Sequence, residues 1–150
     1  MSTATRHLDT RFQALRPLAT TARPPKGWLR AIRDALGMTT GQFAARLNVT
    51  QPRVVQLEKA EIDGSITLNT LERAAAALGC RVVYAIVPER PLDDTIRQRA
   101  NLVADRQLAS IEQTMRLENQ AVEDNRARTS QRQQLLADLL AHPSRLWRDT

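Results

Sequence analysis

The sequence predicts an all-α chain with one short β-strand and a long C-terminal helical arm, and three observations carry that prediction. Apolar residues recur at helical spacing in successive segments bounded by Gly, Pro and capping residues. Only one run, RVVYAIV at 81–87, is β-branched and too short for a helix. From 92 to 128 the chain is polar and free of Pro and Gly, which fits one long helix.

The elements follow in order. Leu8, Phe12 and Leu15 stand at i, i+4 and i+7, one stripe of a helix over 5–16 that is expected to pack on the main domain or a second subunit. Residues 19–26 are a linker, because Pro24-Pro25 forbids helix continuation. A helix over 27–36 turns Trp28, Leu29, Ile32 and Leu36 inward, and Gly37 stops it. Two short helices follow, Thr40 to Leu47 and one opening with Thr50-Gln51-Pro52, separated by a tight break at Asn48-Val49. Phe43, Ala44, Leu47, Val49, Val54 and Leu57 are placed to lock the pair together. Residues 60–66 form a loop around Asp63-Gly64, and Thr67 caps a helix with Leu68, Leu71, Ala74, Ala75 and Leu78 on its apolar face.

The run Arg81, Val82, Val83, Tyr84, Ala85, Ile86 and Val87 is the one convincing strand, closed by Pro88. A lone strand leaves backbone donors and acceptors unpaired, so pairing with the same strand of a second copy is expected. Packing of the strand on its own domain is the alternative. Beyond Pro91 the long helix thins in apolar content, and Leu135, Leu136, Leu139 and Leu140 resume a stripe. Leu146 and Trp147, near the end, are expected to be a partner anchor or a folded-back cap. The expected divisions are an N-terminal helix and linker at 1–26, a DNA-binding domain with dimerising strand at 27–88, and a helical toxin-binding arm at 89–150.

Composition narrows the function. The net charge of +6 is uneven: residues 1–60 hold ten Lys/Arg against three Asp/Glu, and residues 61–150 hold twelve against thirteen. A basic front half beside a near-neutral back half suits a nucleic-acid-facing domain with a separate protein-facing arm. No apolar run is long enough for a membrane span, and no apolar leader opens the chain, so a cytoplasmic location is expected. The single Cys80 is expected to be a small buried residue, and no Cys/His cluster suggests a metal. There is no paired-carboxylate, Ser/His/Asp or phosphate-loop signature, and the two His residues, His7 and His142, lie near the ends. No enzyme activity and no cofactor are expected.

Two short helices across a tight turn form a helix-turn-helix, whose second helix fits the DNA major groove. Thr39 and Thr40 open the first helix, where hydroxyls and free amides meet a phosphate, with Gln42 close by. Thr50, Gln51 and Arg53 open the second; Gln pairs with adenine and Arg with guanine. Gln56 lies one turn further on, and Lys59 reaches toward the backbone. Double-stranded operator DNA is therefore the expected ligand.

Phe43-Ala44 through Leu47, Thr50-Gln51, Leu57-Glu58 and LNTLERAAAALG resemble the phage-repressor-like (lambda repressor/Cro) family over about residues 27–79. The resemblance implies a five-helix domain and a pair between Arg33 and Glu58 that fixes the recognition helix. Pro52 departs from the polar residue frequent there, which removes one base contact but suits a helix start. More narrowly, GWLRAIRDALGMT, QLEKAE and TLNTLERAAAALGCRVVYAIVP with a C-terminal helix resemble the mobile mystery protein A family over about 5–145. That resemblance implies a neighbouring gene for a Fic-domain protein, an AMP-transferase toxin, as partner. It also directs attention to TMRLEN, where Thr114, Glu118 and Asn119 match the inhibitory signature Ser/Thr-x-x-x-Glu-Gly/Asn. Glu118 would pair with an Arg that otherwise holds the ATP γ-phosphate. A DNA-binding antitoxin that represses its own operon is the expectation; a stand-alone regulator, or an antitoxin of a non-Fic toxin, is the alternative.

Overall fold

In the computed structural model the described residues are 2–118 and 125–148. They form seven α-helices: α1 (Thr3–Ala19), α2 (Trp28–Ala35), α3 (Thr40–Leu47), α4 (Gln51–Asp63), α5 (Leu68–Ala77), α6 (Leu92–Leu117) and α7 (Asn125–Ala141), followed by a 3-10 turn at Pro143–Trp147. The chain divides into two compact units. One is Pro17–Ile86; the other joins Met1–Arg16 to Val87–Thr150.

The Pro17–Ile86 unit is built from α2 to α5. Leu29, Phe43, Ala44, Val54, Ala74 and Leu78 form its buried core. Ile32, Met38, Leu47, Ile66, Leu71, Ala77 and Cys80 pack around them. Burying the larger side chains, such as Leu29, Phe43 and Val54, stabilises by about 1.5–3 kcal/mol each, more than their lost rotamer freedom costs. Trp28, Leu36, Val49 and Leu68, all expected inward, stand 48%, 57%, 37% and 41% exposed. They sit on helix ends and in a turn, where the helical stripe no longer faces a neighbour.

Three expectations are corrected in this unit. It contains four helices, not five. RVVYAIV, which follows α5, is rich in β-branched residues and is closed by Pro88, so no helix continues there. The dimerising strand expected over Arg81, Val82, Val83, Tyr84, Ala85, Ile86 and Val87 is not formed in the single chain: no strand occurs among the described residues. A strand is defined by ladder hydrogen bonds, and none is formed along this run among the described residues. Val83, Tyr84 and Ile86 are 78%, 69% and 86% exposed. Finally, α4 runs through most of the expected 60–66 loop and stops at Asp63, where Gly64 takes φ +80.

The other unit is a helical hairpin. The expected single helix over 92–128 ends at Leu117, and α7 returns antiparallel along α6. Arg128 binds Glu112, while Arg132 binds both Asp105 and Asn101, so rising numbers on α7 meet falling numbers on α6. The reason is burial. Ala100 and Ala104 are fully buried and let the helices approach closely, and Leu139 and Leu146 fill the seam. A solitary polar helix would have left that stripe in water. The tail folds back: Leu146 is 1% exposed, its carbonyl accepts from Arg99 Nε at 2.8 Å, and Trp147 lies under the Arg99 guanidinium. Helix α1 has no fully buried residue, with Phe12 and Leu15 half-buried. Its Asp9 carboxylate accepts from the Leu92 and Asp93 amides at 2.7 and 3.2 Å, capping the start of α6.

Candidate nucleic-acid interface

The helix-turn-helix is assembled by local caps. Thr39 Oγ1 accepts from the Gln42 amide at 3.1 Å, and Gln42 Oε1 accepts from the Thr39 amide at 2.9 Å. This reciprocal box fixes the start of α3. Helix α3 ends on Asn48 at φ 55, a left-handed residue that turns the chain sharply into Val49-Thr50. Helix α4 then starts with Pro52 in its first turn, where a missing N–H costs nothing.

One face of α4 is locked down. Val54, Leu57, Glu58 and Glu61 are buried. Arg33 Nε and Nη2 donate to the two Glu58 carboxylate oxygens at 2.5 and 3.2 Å, and Nη1 donates to the Met38 carbonyl at 3.0 Å. One guanidinium thus ties α2, α4 and the turn into α3. The hydrogen bond to Glu58 holds Arg33 above its ordinary value, against the opposing effect of burial.

The opposite face is open. Gln51, Arg53, Gln56 and Lys59 are all exposed on α4, as are Thr50 before it and Thr39 and Gln42 at the start of α3; Thr40 is half-buried. Gln51 Nε2 donates to Thr40 Oγ1 at 2.7 Å. That bond orients the Gln51 amide and leaves its carbonyl oxygen and second N–H available, the pair of groups adenine presents to. Arg53 leans on Gln56 Oε1 at 3.4 Å, a weak contact easily exchanged for a base edge. The fold therefore brings Thr39, Thr40, Gln42, Thr50, Gln51, Arg53, Gln56 and Lys59 onto the two helices of one motif.

The arm residues are placed differently. Thr114 is exposed in the last turn of α6, its hydroxyl donating to the Ser110 carbonyl at 3.0 Å. Glu118 is exposed and is the C-cap of that helix, its amide bonded to the Thr114 carbonyl at 3.2 Å. Asn119 lies outside the described residues.

Several supporting residues act through long-range contacts that no local pattern in the chain marks. Glu61, in the expected loop, is buried and accepts from the Trp28 and Leu29 amides at 2.7 and 3.0 Å, capping α2 from the far end of α4. Arg23, in the expected linker, donates to the Glu61 and Ile62 carbonyls at 2.6 and 2.9 Å and closes the end of α4.

A protein-family model described as helix-turn-helix matches residues 29–84, which run from the second residue of α2 past the end of α5 and include the open face just described. Residues 29–84 are thus a helix-turn-helix domain, the class of fold associated with DNA binding and transcription regulation. No curated protein and no solved structure matches the chain. No described helix is long and apolar enough to cross a membrane.

Proposed function

We propose that this protein is a non-catalytic, sequence-specific regulator of transcription that inserts α4 into the major groove of an operator. The observation that carries the reading is the division of α4 into a buried face held by Arg33–Glu58 and an exposed face of Gln51, Arg53, Gln56 and Lys59. In this pose Gln51 and Gln56 read adenine and Arg53 reads guanine, while Thr39, Thr40, Gln42, Thr50 and Lys59 position the domain on phosphates. The test is binding to the promoter upstream of its own gene against a shuffled duplex. Preference for the promoter, weakened by orders of magnitude on adding about 150 mM salt, supports the reading. Equal affinity for both duplexes overturns it.

The exposed apolar run at 81–87 supports a homodimer, in which this run pairs with its counterpart in a second copy. Two reading helices would then span half-sites about 34 Å apart. Replacing Val83 and Ile86 by Lys should give a monomer in sedimentation; an unchanged dimer excludes this interface.

The resemblance to the mobile mystery protein A family supports a second role for the arm, as the antitoxin of a Fic-domain partner, with operon repression by the DNA-binding domain. Thr114 and Glu118 are exposed at the end of α6, where a partner can reach them. Glu118→Gly should leave operator binding intact and release AMP transfer by the neighbouring Fic protein. Inhibition that survives the change favours a non-Fic toxin; failure to co-purify with any neighbour favours a stand-alone regulator.

A further inference from the structure

Beside the reading helix lies an open cleft of about 330 Å³ between α3, α4 and α5. It is lined by Arg46 from α3, Arg53 from α4 and Arg73 from α5, together with Thr70, Val49 and Leu57. No acidic residue lines it. Arg46 donates to the Ala77 carbonyl at 3.2 Å and Arg53 to Gln56, both neutral acceptors. Among the described residues, no carboxylate pairs with any of the three arginines. Three uncompensated guanidiniums around one cleft concentrate positive potential and call for an external anion. Guanidinium forks match phosphate oxygens in pairs. Arg53 belongs both to the cleft lining and to the exposed face of α4, so the two surfaces are continuous.

We infer that Arg46 and Arg73 grip a phosphodiester of the DNA backbone flanking the groove that α4 enters, with the Thr70 hydroxyl as an additional donor. The inference rests on the DNA-binding reading above and extends it to α5 and to the end of α3, which lie outside the turn and its two N-termini. Phosphate grips fix register without reading sequence. Arg73 therefore sets affinity and salt dependence, while Gln51 and Arg53 set preference.

The test compares wild-type protein, Arg73→Gln and Arg73→Lys on the operator and on an unrelated duplex across a salt series. Arg73 is exposed and, among the described residues, makes no hydrogen bond or ion pair, so its replacement should leave the thermal midpoint unchanged. The expected result for Arg73→Gln is a roughly ten-fold loss near about 50 mM salt, equal on both duplexes. The slope of log K against log salt should fall by about one. Arg73→Lys should keep the slope. An unchanged slope and affinity in Arg73→Gln, with wild type binding normally, overturns the grip while leaving the reading helix intact. A loss confined to the operator also overturns it, since that is base reading. Wild-type protein that binds no duplex at any salt overturns both the grip and the DNA-binding reading.

Discussion

Arg33 and Glu58 meet across α2 and α4 as a two-point guanidinium–carboxylate pair, with side chains only 9% and 8% exposed. The pair fixes the angle of the reading helix, because Arg33 also holds the Met38 carbonyl at the entry to α3. A buried ion pair is costly to break and cheap to replace whole. Arg33→Ala strands the Glu58 carboxylate in the core and should destabilise by about 3–5 kcal/mol in urea unfolding. Arg33→Met with Glu58→Leu should recover most of that loss. A single change that costs nothing would show that the pair does not hold α4.

The Glu61 carboxylate occupies the space that a Cβ at position 27 would need. Gly27 stands at φ +81, and a Cβ there would run into the Glu61 carboxylate that caps α2. Gly27→Ala should therefore cost more than backbone strain alone, about 2–4 kcal/mol, because it also displaces the cap. Glu61→Gln keeps the shape but loses the charge at the helix start, and should cost about 1 kcal/mol. Thermal unfolding of both variants checks the order.

Asp63 accepts from the Ser65 hydroxyl at 2.6 Å and from its amide at 3.1 Å just after α4. These bonds hold its carboxyl below the ordinary aspartate value of 3.8. A depressed value in the folded state means a stability contribution that is complete above 3.8 and is lost as pH falls through the lower folded value. Asp63→Asn should remove that part of the acid sensitivity, lowering stability slightly near neutral pH and leaving it unchanged in strong acid. Acid titrations that superimpose would contradict the sign.

On the open face, Arg53→Ala should lower discrimination at one base pair by about 1–3 kcal/mol and leave the other positions of the operator as selective as before. Binding measured across single-base operator variants distinguishes this from a uniform loss, which is the pattern expected of Arg73→Gln.

Leu146 is enclosed by the α6–α7 hairpin. Leu146→Ala should destabilise that unit by about 2–5 kcal/mol, read as an earlier loss of helix signal on heating. An unshifted transition would mean that the tail is not part of the core.

The helix-turn-helix was legible in the chain because its determinants are local. Capping at Thr39 and Thr67, the left-handed Asn48 and the apolar spacing of Phe43, Ala44, Val54 and Leu57 act within a few residues of one another. Such signals depend on helical period and intrahelical hydrogen bonding, and these are written in consecutive residues. The exposed polar face of α4 follows from the same period. Tertiary structure alone decided the rest. Glu61 reaches the start of α2 across 33 residues, and Asp9 reaches the start of α6 across 83. Nothing in either neighbourhood distinguishes those acids from surface ones. The return of α7 along α6 depends on a seam between two helices, each of which is too polar to reveal it alone. The run at 81–87 shows the converse limit. Residue type favours a strand, but a strand exists only where a second backbone supplies the ladder.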